Sequence, residues 1–311
     1  MRIAIRTGLA MLMCAGLGAC GGGGGGGGEQ QATGQLSLSI TDAPVDDAMS
    51  VVVQFSGVAF KRQGSQPEIV ESLSARQLNL LEYQEGRAAL LLDDITLPAG
   101  NYEWIRLIVD NVPNVRDSYL VQMTGEECEL RVPSGAESGL KLNRGFTLPA
   151  DGSVALTIDF DLRKSIHAPP GQSGGVPDCS QAYLMRPTLR IVDDANVGAI
   201  AGIVDSALVT DDCLPKVYVF EGQDVVADDI DEASAPDIDP YVVAGVGIEN
   251  GSTAYGYRAA FVPPGQYTVA FTCSDDDPAA EDELAFLTPQ NVTVQPNLLS
   301  TADFAPPPPE L

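Results

Sequence analysis

Gln35-Leu36-Ser37-Leu38-Ser39-Ile40 alternates polar and apolar residues without interruption. A period of two is the signature of a β-strand, in which every second side chain lies on one face. Leu36, Leu38 and Ile40 therefore predict a strand that is apolar on one side only. The same style recurs along the chain. Residues 49–60 are richer in Val and Phe and predict a more buried strand. Residues 104–109 follow the turn Pro98-Ala99-Gly100-Asn101, and residues 119–123 and 128–132 flank Thr124-Gly125-Glu126-Glu127 as a hairpin. Strands are also predicted at 154–162 and 183–192, then at 197–204, 216–220, 241–247, 254–261, 266–273 and 290–294. Glycines inside 197–204 suit a bulge or a close approach of backbones. Residues 72–83 (SLSARQLNLLEY) admit a helix, although Leu78, Leu80 and Leu81 fit a short strand equally well. Short strands at intervals of roughly 8–12 residues, with Gly/Pro turns between them, predict an all-β protein. The expected fold class is two β-sandwich domains, Ig-like or prealbumin-like.

Two domains follow from length and from charge. The 311-residue chain leaves about 270 residues between its ends, more than one hydrophobic core usually spans. The net charge of −26 is unevenly placed: residues 34–195 carry −9 and residues 196–311 carry −18, with Lys216 and Arg258 the only cations of the latter. Boundaries are therefore expected at 34–195 and 196–304, followed by a proline-rich tail, 305–311, in extended form. So acidic a chain repels phosphate backbones, and a nucleic-acid partner is excluded.

The N-terminus resembles that of bacterial lipoproteins. Arg2 and Arg6 precede a short apolar run ending in Leu17-Gly18-Ala19-Cys20, which resembles a lipobox. The run is far short of the roughly 20 apolar residues of a spanning helix. The resemblance implies a signal peptide at 1–19 that is removed, and acyl chains (palmitate among them) on Cys20 that hold the protein to a membrane. Gly21 after the cysteine, rather than aspartate, points to the outer membrane of a Gram-negative envelope. Residues 20–33 contain an unbroken glycine run, Gly21 to Gly28, and serve as a flexible spacer with a reach of roughly 18–22 Å.

Four further segments resemble the DUF4382 family, a domain of unknown function common in bacterial lipoproteins. They are Thr41-Asp42-Ala43-Pro44, the stretch from Leu97 to Leu107 (LPAGNYEWIRL), Asp159-Phe160-Asp161-Leu162-Arg163-Lys164-Ser165, and the stretch from Tyr183 to Arg190 (YLMRPTLR). The resemblance covers residues 34–193 and brings no established active site. The second domain is similar, more weakly, to carboxypeptidase regulatory-like or transthyretin-like sandwiches. It carries Gly198-Ala199-Ile200-Ala201-Gly202-Ile203-Val204 against their G-x-[IV]-x-G-x-[VI] strand and Val262-Pro263-Pro264-Gly265-Gln266-Tyr267 against their penultimate turn. Such modules are structural or adhesive. The acidic insert at 224–239 departs from the compact pattern.

Chemistry-bearing residues are few in kind. Apart from Cys20, the exported chain holds Cys128, Cys179, Cys213 and Cys273. An even number suggests disulfides in an exported protein. Of three connectivities, one pair per domain favours Cys128–Cys179 and Cys213–Cys273; four buried thiols are the alternative. The spacing excludes a CxxC zinc site. His167 is the sole histidine, with Ser165 and Asp161 beside it, but no G-x-S-x-G elbow in a strand-to-helix context accompanies them. The acidic clusters at Asp224, Asp228, Asp229, Asp231, Glu232, Asp237, Asp239 and at Asp275-Asp276-Asp277 and Glu281-Asp282-Glu283 offer oxygen donors. Calcium takes six to eight of them, and Asp228, Asp229, Asp231, Asp275, Asp276 and Asp277 are its candidate ligands. A solvated acidic surface explains them equally, in which case no cofactor is needed. Tyr102, Trp104 and Arg106 alternate along one strand as a candidate sugar-stacking face, against core packing for the two aromatics. These readings favour a non-enzymatic, membrane-anchored module for binding, adhesion or envelope assembly, its partner a glycan or an envelope protein. The alternative is a hydrolase of glycan or peptide using paired carboxylates, for which Asp42, Asp159 and Asp161 are the candidates.

Overall fold

Leu36, Leu38 and Ile40 are each 0% exposed on strand β1 (Thr33–Asp42), as their alternation requires. The computed structural model describes residues 31–42, 48–64, 68–110, 115–132, 139–169, 179–186, 188–230, 238–248, 253–277 and 282–307. The leader, Cys20 and the glycine run lie outside the described residues, as do Ala43-Pro44, Asp231, Glu232, Asp237 and Glu281. No helix among the described residues is long and apolar enough to cross a membrane.

The strands that follow β1 are β2 (Ala48–Arg62), β3 (Ile69–Asn79), β4 (Ala89–Pro98) and β5 (Gly100–Val109). Shorter ones come next: β6 (Tyr119–Gln122), β7 (Glu127–Arg131), β8 (Leu140–Leu142), β9 (Phe146–Leu148) and β10 (Ser153–Phe160). A single helical turn, α1 (Leu162–Ser165), leads into β11 (Ile166–His167), β12 (Tyr183–Met185) and β13 (Leu189–Asp193). One sheet has the order β13-β10-β1-β4, with β1 and β10 parallel. The other runs β11-β12-β7-β6-β2-β5-β8, with β3 also on β2 and β9 on β5. One core fills the space between them, with Phe55, Phe60 and Phe160 among its largest fully buried side chains.

The second half is β14 (Gly198–Val204), β15 (Lys216–Glu221), β16 (Val242–Ile248), β17 (Tyr255–Val262), β18 (Gly265–Thr272), β19 (Gln290–Val294) and β20 (Leu299–Thr301). They form a continuous path, β19-β18-β15-β16-β17-β14-β20. Strand β16 makes the sandwich possible, because its first residues pair with β15 and its last with β17. The fold is thus all-β, with a second core of its own around Val217, Val219, Val269 and Phe304. Strand β15 is buried on both faces. Its alternate side chains, Tyr218 and Phe220, lie in a satellite cluster with Ile230, Val243 and Ala270, against which Phe286 packs. The acidic loops after β15 and β18 therefore rest on an apolar platform, which is how an aspartate in them comes to be buried.

Among the described residues there are two disulfides, one in each half: Cys128–Cys179 and Cys213–Cys273, at sequence separations of 51 and 60. This is the pairing favoured by one bridge per domain. Each is worth about 4 kcal/mol in the chain-entropy account. The cores separate between Ile191 and Ile200, while everything from Ala32 onward forms one compact unit.

Local departures from expectation have physical causes. The ambiguous stretch 72–83 is strand β3 followed by a 3₁₀ turn, Leu80–Glu82, that buries Leu80. The strand expected at 183–192 is two strands in different sheets, β12 and β13, separated by a sequence containing Pro187, which has no N–H to donate to a ladder.

Candidate functional site

The two cores meet through charged and polar side chains. Arg163 on α1 reaches into the second half, with Nη1 3.1 Å from Asp276 Oδ2 and Nη2 3.1 Å from the Asp276 carbonyl. Nη1 also lies 3.3 Å from the Tyr218 hydroxyl, which itself donates to Asp276 Oδ2. The Arg163 and Asp276 side chains are 4% and 0% exposed. Beside them, Lys164 Nζ stands 2.5 Å from Asp239 Oδ2. Arg190 of β13 bonds Asp159, its register partner on β10, and stacks its guanidinium 4.1 Å from the centroid of Tyr241. The first half thus supplies cations and the second supplies carboxylates and phenols. Helix α1 is placed for this by Asp161, whose side chain caps the Lys164 N–H at 3.3 Å. Ser165 ties the turn to the residue just before β13, donating to the Asp161 carbonyl and accepting from the Thr188 N–H.

Next to this junction, one carboxylate oxygen from each of Asp229, Asp276 and Asp282 lies within 4.8 Å of the others. Asp229 and Asp276 are buried and Asp282 is half-buried. The backbone holds them there: the Asp282 N–H donates to Asp229 Oδ2, and the Asp277 N–H donates to Asp282 Oδ2 at 2.8 Å. Burial pushes the Asp229 carboxyl above the usual carboxylate range, and the charges of Asp228 and Asp276 push it the same way. Of the six candidate calcium ligands, Asp229 and Asp276 meet; Asp231 lies outside the described residues. Asp228, Asp275 and Asp277 are exposed and not part of the cluster. Asp228 and Asp275 instead accept the N–H of the following residue, at 3.2 and 3.1 Å. The third member is Asp282, which the sequence marks only as one acidic residue among several.

The expected ligand face needs correction. The β2–β5 register pairs Lys61 with Trp104 and Arg62 with Tyr102, so Glu103 is the extra residue of a bulge. A bulge reverses the alternation. Tyr102 turns inward, 2% exposed, stacks on Phe146 at 4.7 Å and donates to the Pro98 carbonyl at 2.7 Å. Trp104 and Arg106 stay half-buried on the other face. Lys141 on β8, the register partner of Arg106, lies 4.6 Å from the centroid of Trp104, and Arg106 lies 5.7 Å from it. Arg106 also pairs with Glu68 at 2.6 Å. The outward group is therefore Trp104, Arg106 and Lys141.

Residues 33–187 match the family described as a domain of unknown function, DUF4382. They form a DUF4382 domain. Among curated proteins none matches the chain. Solved structures similar to it include a leucine-rich repeat protein from Bacteroides thetaiotaomicron VPI-5482, at 13% identity and TM-score 0.21. The alignment covers 88% of this chain and 26% of that one. The Bacillus anthracis TIE protein aligns at 10% identity and TM-score 0.19 over 88% of this chain and 34% of its own. GBS52, the minor pilin of Streptococcus agalactiae, aligns at 9% identity and TM-score 0.20, with 88% and 98% covered. This chain thus spans only about a quarter to a third of the first two.

The family-like segments, the last of which runs past the matched residues to Arg190, do structural work at the junction. The third and fourth are joined by the Asp159–Arg190 pair and by Ser165 with Thr188. In the first, Thr41 donates to the carbonyls of Tyr83 and Arg87 at 2.8 and 2.9 Å, and Asp42 accepts from Gln84 at 3.5 Å. Asp42 and Asp159 line a cleft against Val243, Arg258 and Phe261 of about 40 Å³, room for a water or two. His167 sits on β11, in register with Leu184.

Proposed function

We propose that the chain is a non-enzymatic binding module of the bacterial cell envelope, anchored by acyl chains on Cys20, whose DUF4382 domain takes an acidic glycan on its outer sheet face. The observation that carries this is the Trp104 indole with Lys141 and Arg106 beside it. An aromatic plane gives a sugar ring a surface to stack on, and two cations give its carboxylate or sulfate a counter-charge. Arg106 is shared with Glu68, so in a chain of net charge −26 Lys141 is the cation that this indole face sets toward an acidic sugar. The non-enzymatic part is supported by what occupies the candidate carboxylates. Asp159 is bound to Arg190, Asp161 caps a helix, and the cleft beside Asp42 is far below the roughly 300 Å³ of a small-molecule site.

The test is titration of the purified full-length protein with acidic and neutral polysaccharides, followed by calorimetry. Wild type is expected to bind the acidic set, with Trp104→Ala and Lys141→Glu each weakening binding at least tenfold. No binding to any acidic glycan, or binding indifferent to Trp104→Ala, refutes the reading. The anchor is tested separately by metabolic labelling with a palmitate analogue, which Cys20→Ser should abolish.

A further inference from the structure

We infer that Asp229, Asp276 and Asp282 bind a calcium ion where the two cores meet. Three carboxylates whose oxygens approach within 4.8 Å repel one another, and two of them have little water to screen that repulsion. Arg163 offsets one charge of the three. The decisive atom is Asp276 Oδ1. The Asp276 side chain is 0% exposed, and its Oδ2 takes both Arg163 and the Tyr218 hydroxyl. Oδ1 is equally buried and has no hydrogen-bond partner among the described residues. A buried carboxylate oxygen without a donor costs the full desolvation of that atom, and a cation held between it, Asp229 and Asp282 removes that cost and the repulsion together.

The donors decide the metal. All three are carboxylates, on irregular loops after β15 and β18. All-oxygen donors select a hard cation. Irregular loops suit calcium, which tolerates varied geometry, better than magnesium, which demands a near-ideal octahedron. Three carboxylates leave room for loop carbonyls and water to complete six to eight ligands. The ion would share Asp276 with Arg163, so that metal and guanidinium hold the same carboxylate from opposite halves of the molecule.

The experiment strips the full-length protein with EDTA and titrates it with calcium chloride by calorimetry and thermal melting. One site is expected, with a dissociation constant on the order of 10⁻⁴ M, in the range of extracellular modules. The melting temperature should rise by a few degrees at tenfold excess over that constant. Asp282→Asn removes the least buried ligand and spares the Arg163 pair; it should weaken calcium at least tenfold. Asp224→Asn, outside the cluster, should leave it unchanged. No calcium effect on wild type, or an effect that Asp282→Asn retains, overturns the site. Should Asp282→Asn fail to fold, terbium replaces it as the test. Emission excited through tyrosine, displaced by calcium and lost in Tyr218→Phe, places the ion beside Asp276; emission that survives Tyr218→Phe overturns the site.

Discussion

Arg163→Met is the substitution that weighs the junction. Methionine keeps most of the length of the arginine stem and removes the guanidinium, which makes two 3.1 Å contacts to Asp276 and one of 3.3 Å to Tyr218. The pair it breaks is 4% and 0% exposed, so water cannot take the place of the lost donors. Removing one partner of such a pair costs about 3–5 kcal/mol, because a buried carboxylate is left without its counter-charge. Domains of this size move by roughly 2–4 °C per kcal/mol, so the melting midpoint should fall by roughly 6–20 °C. The neighbouring residue on the same helical turn supplies the comparison. Lys164 pairs with Asp239 at 2.5 Å, but Asp239 is 47% exposed, and a pair so open to solvent contributes about 0–1 kcal/mol. Lys164→Met removes the same charge from the same turn and should lower the midpoint by at most a few degrees. Melting by circular dichroism with a parallel urea titration gives both values. Equal falls for the two variants, or a fall of under about 2 °C for Arg163→Met, would refute the argument, since burial would then have no bearing on the strength of the pair.

Two further outcomes follow from packing and from burial. A Cβ added at Gly202 would stand 1.8 Å from the Ala302 carbonyl oxygen, whereas one added at Gly247 meets nothing within 4 Å. Gly202→Ala should therefore cost on the order of 1–3 kcal/mol or more in the urea midpoint and Gly247→Ala should be close to neutral; equal midpoints would show that β20 yields freely. Burial raises the phenols of Tyr102, Tyr218, Tyr241, Tyr257 and Tyr267 above their usual value. A group whose folded value is raised contributes stability that is complete below its unfolded value, about 10 for tyrosine, and lost as pH climbs past it. The melting midpoint should drop between pH 9 and 11 while absorbance at 295 nm reports only part of the nine tyrosines; all nine ionising together near 10 in an intact fold would contradict it.

What the sequence shows and what it hides divide by range. Leu36, Leu38 and Ile40 announce their strand because alternation is a property of neighbouring residues. The hairpin of β6 and β7 is legible for the same reason. The pairing of four cysteines follows from counting one bridge per domain. By contrast β4, over ALLLDDITLP, offers three leucines in a row and then two aspartates, and no clean period marks it. Strands β8, β9 and β20 have three residues each, too few to carry a period at all. The bulge at Glu103 is invisible because nothing local to Tyr102-Glu103-Trp104 says which residue lacks a cross-strand partner; the register of β2 decides it. Asp282 joins Asp229 across 53 positions, a meeting set by where two loops settle on Tyr218, Phe220 and Ile230, and charge alone cannot separate it from its exposed neighbours Asp277 and Glu283.

The way the halves are joined explains why so acidic a molecule holds together with two cores in contact. An apolar seam between sandwiches would gain by burial in many relative positions, since hydrophobic contact has no direction. Arg163, Lys164 and Arg190 offer donors that only certain placements satisfy: Asp276 at one end, Tyr241 at the other and Asp239 between. A displacement of a few ångströms would strand a buried guanidinium against carbon, at a cost of several kcal/mol, while returning nothing for the loss. The same contacts set two positive charges of the first half, Arg163 and Lys164, against carboxylates of a second half that carries −18, and so offset part of the repulsion between the halves. Orientation is therefore dictated by charge and thickness by the cores. A calcium ion on Asp276 would act at the point where those two constraints meet, and its loss should loosen the junction before it melts either core.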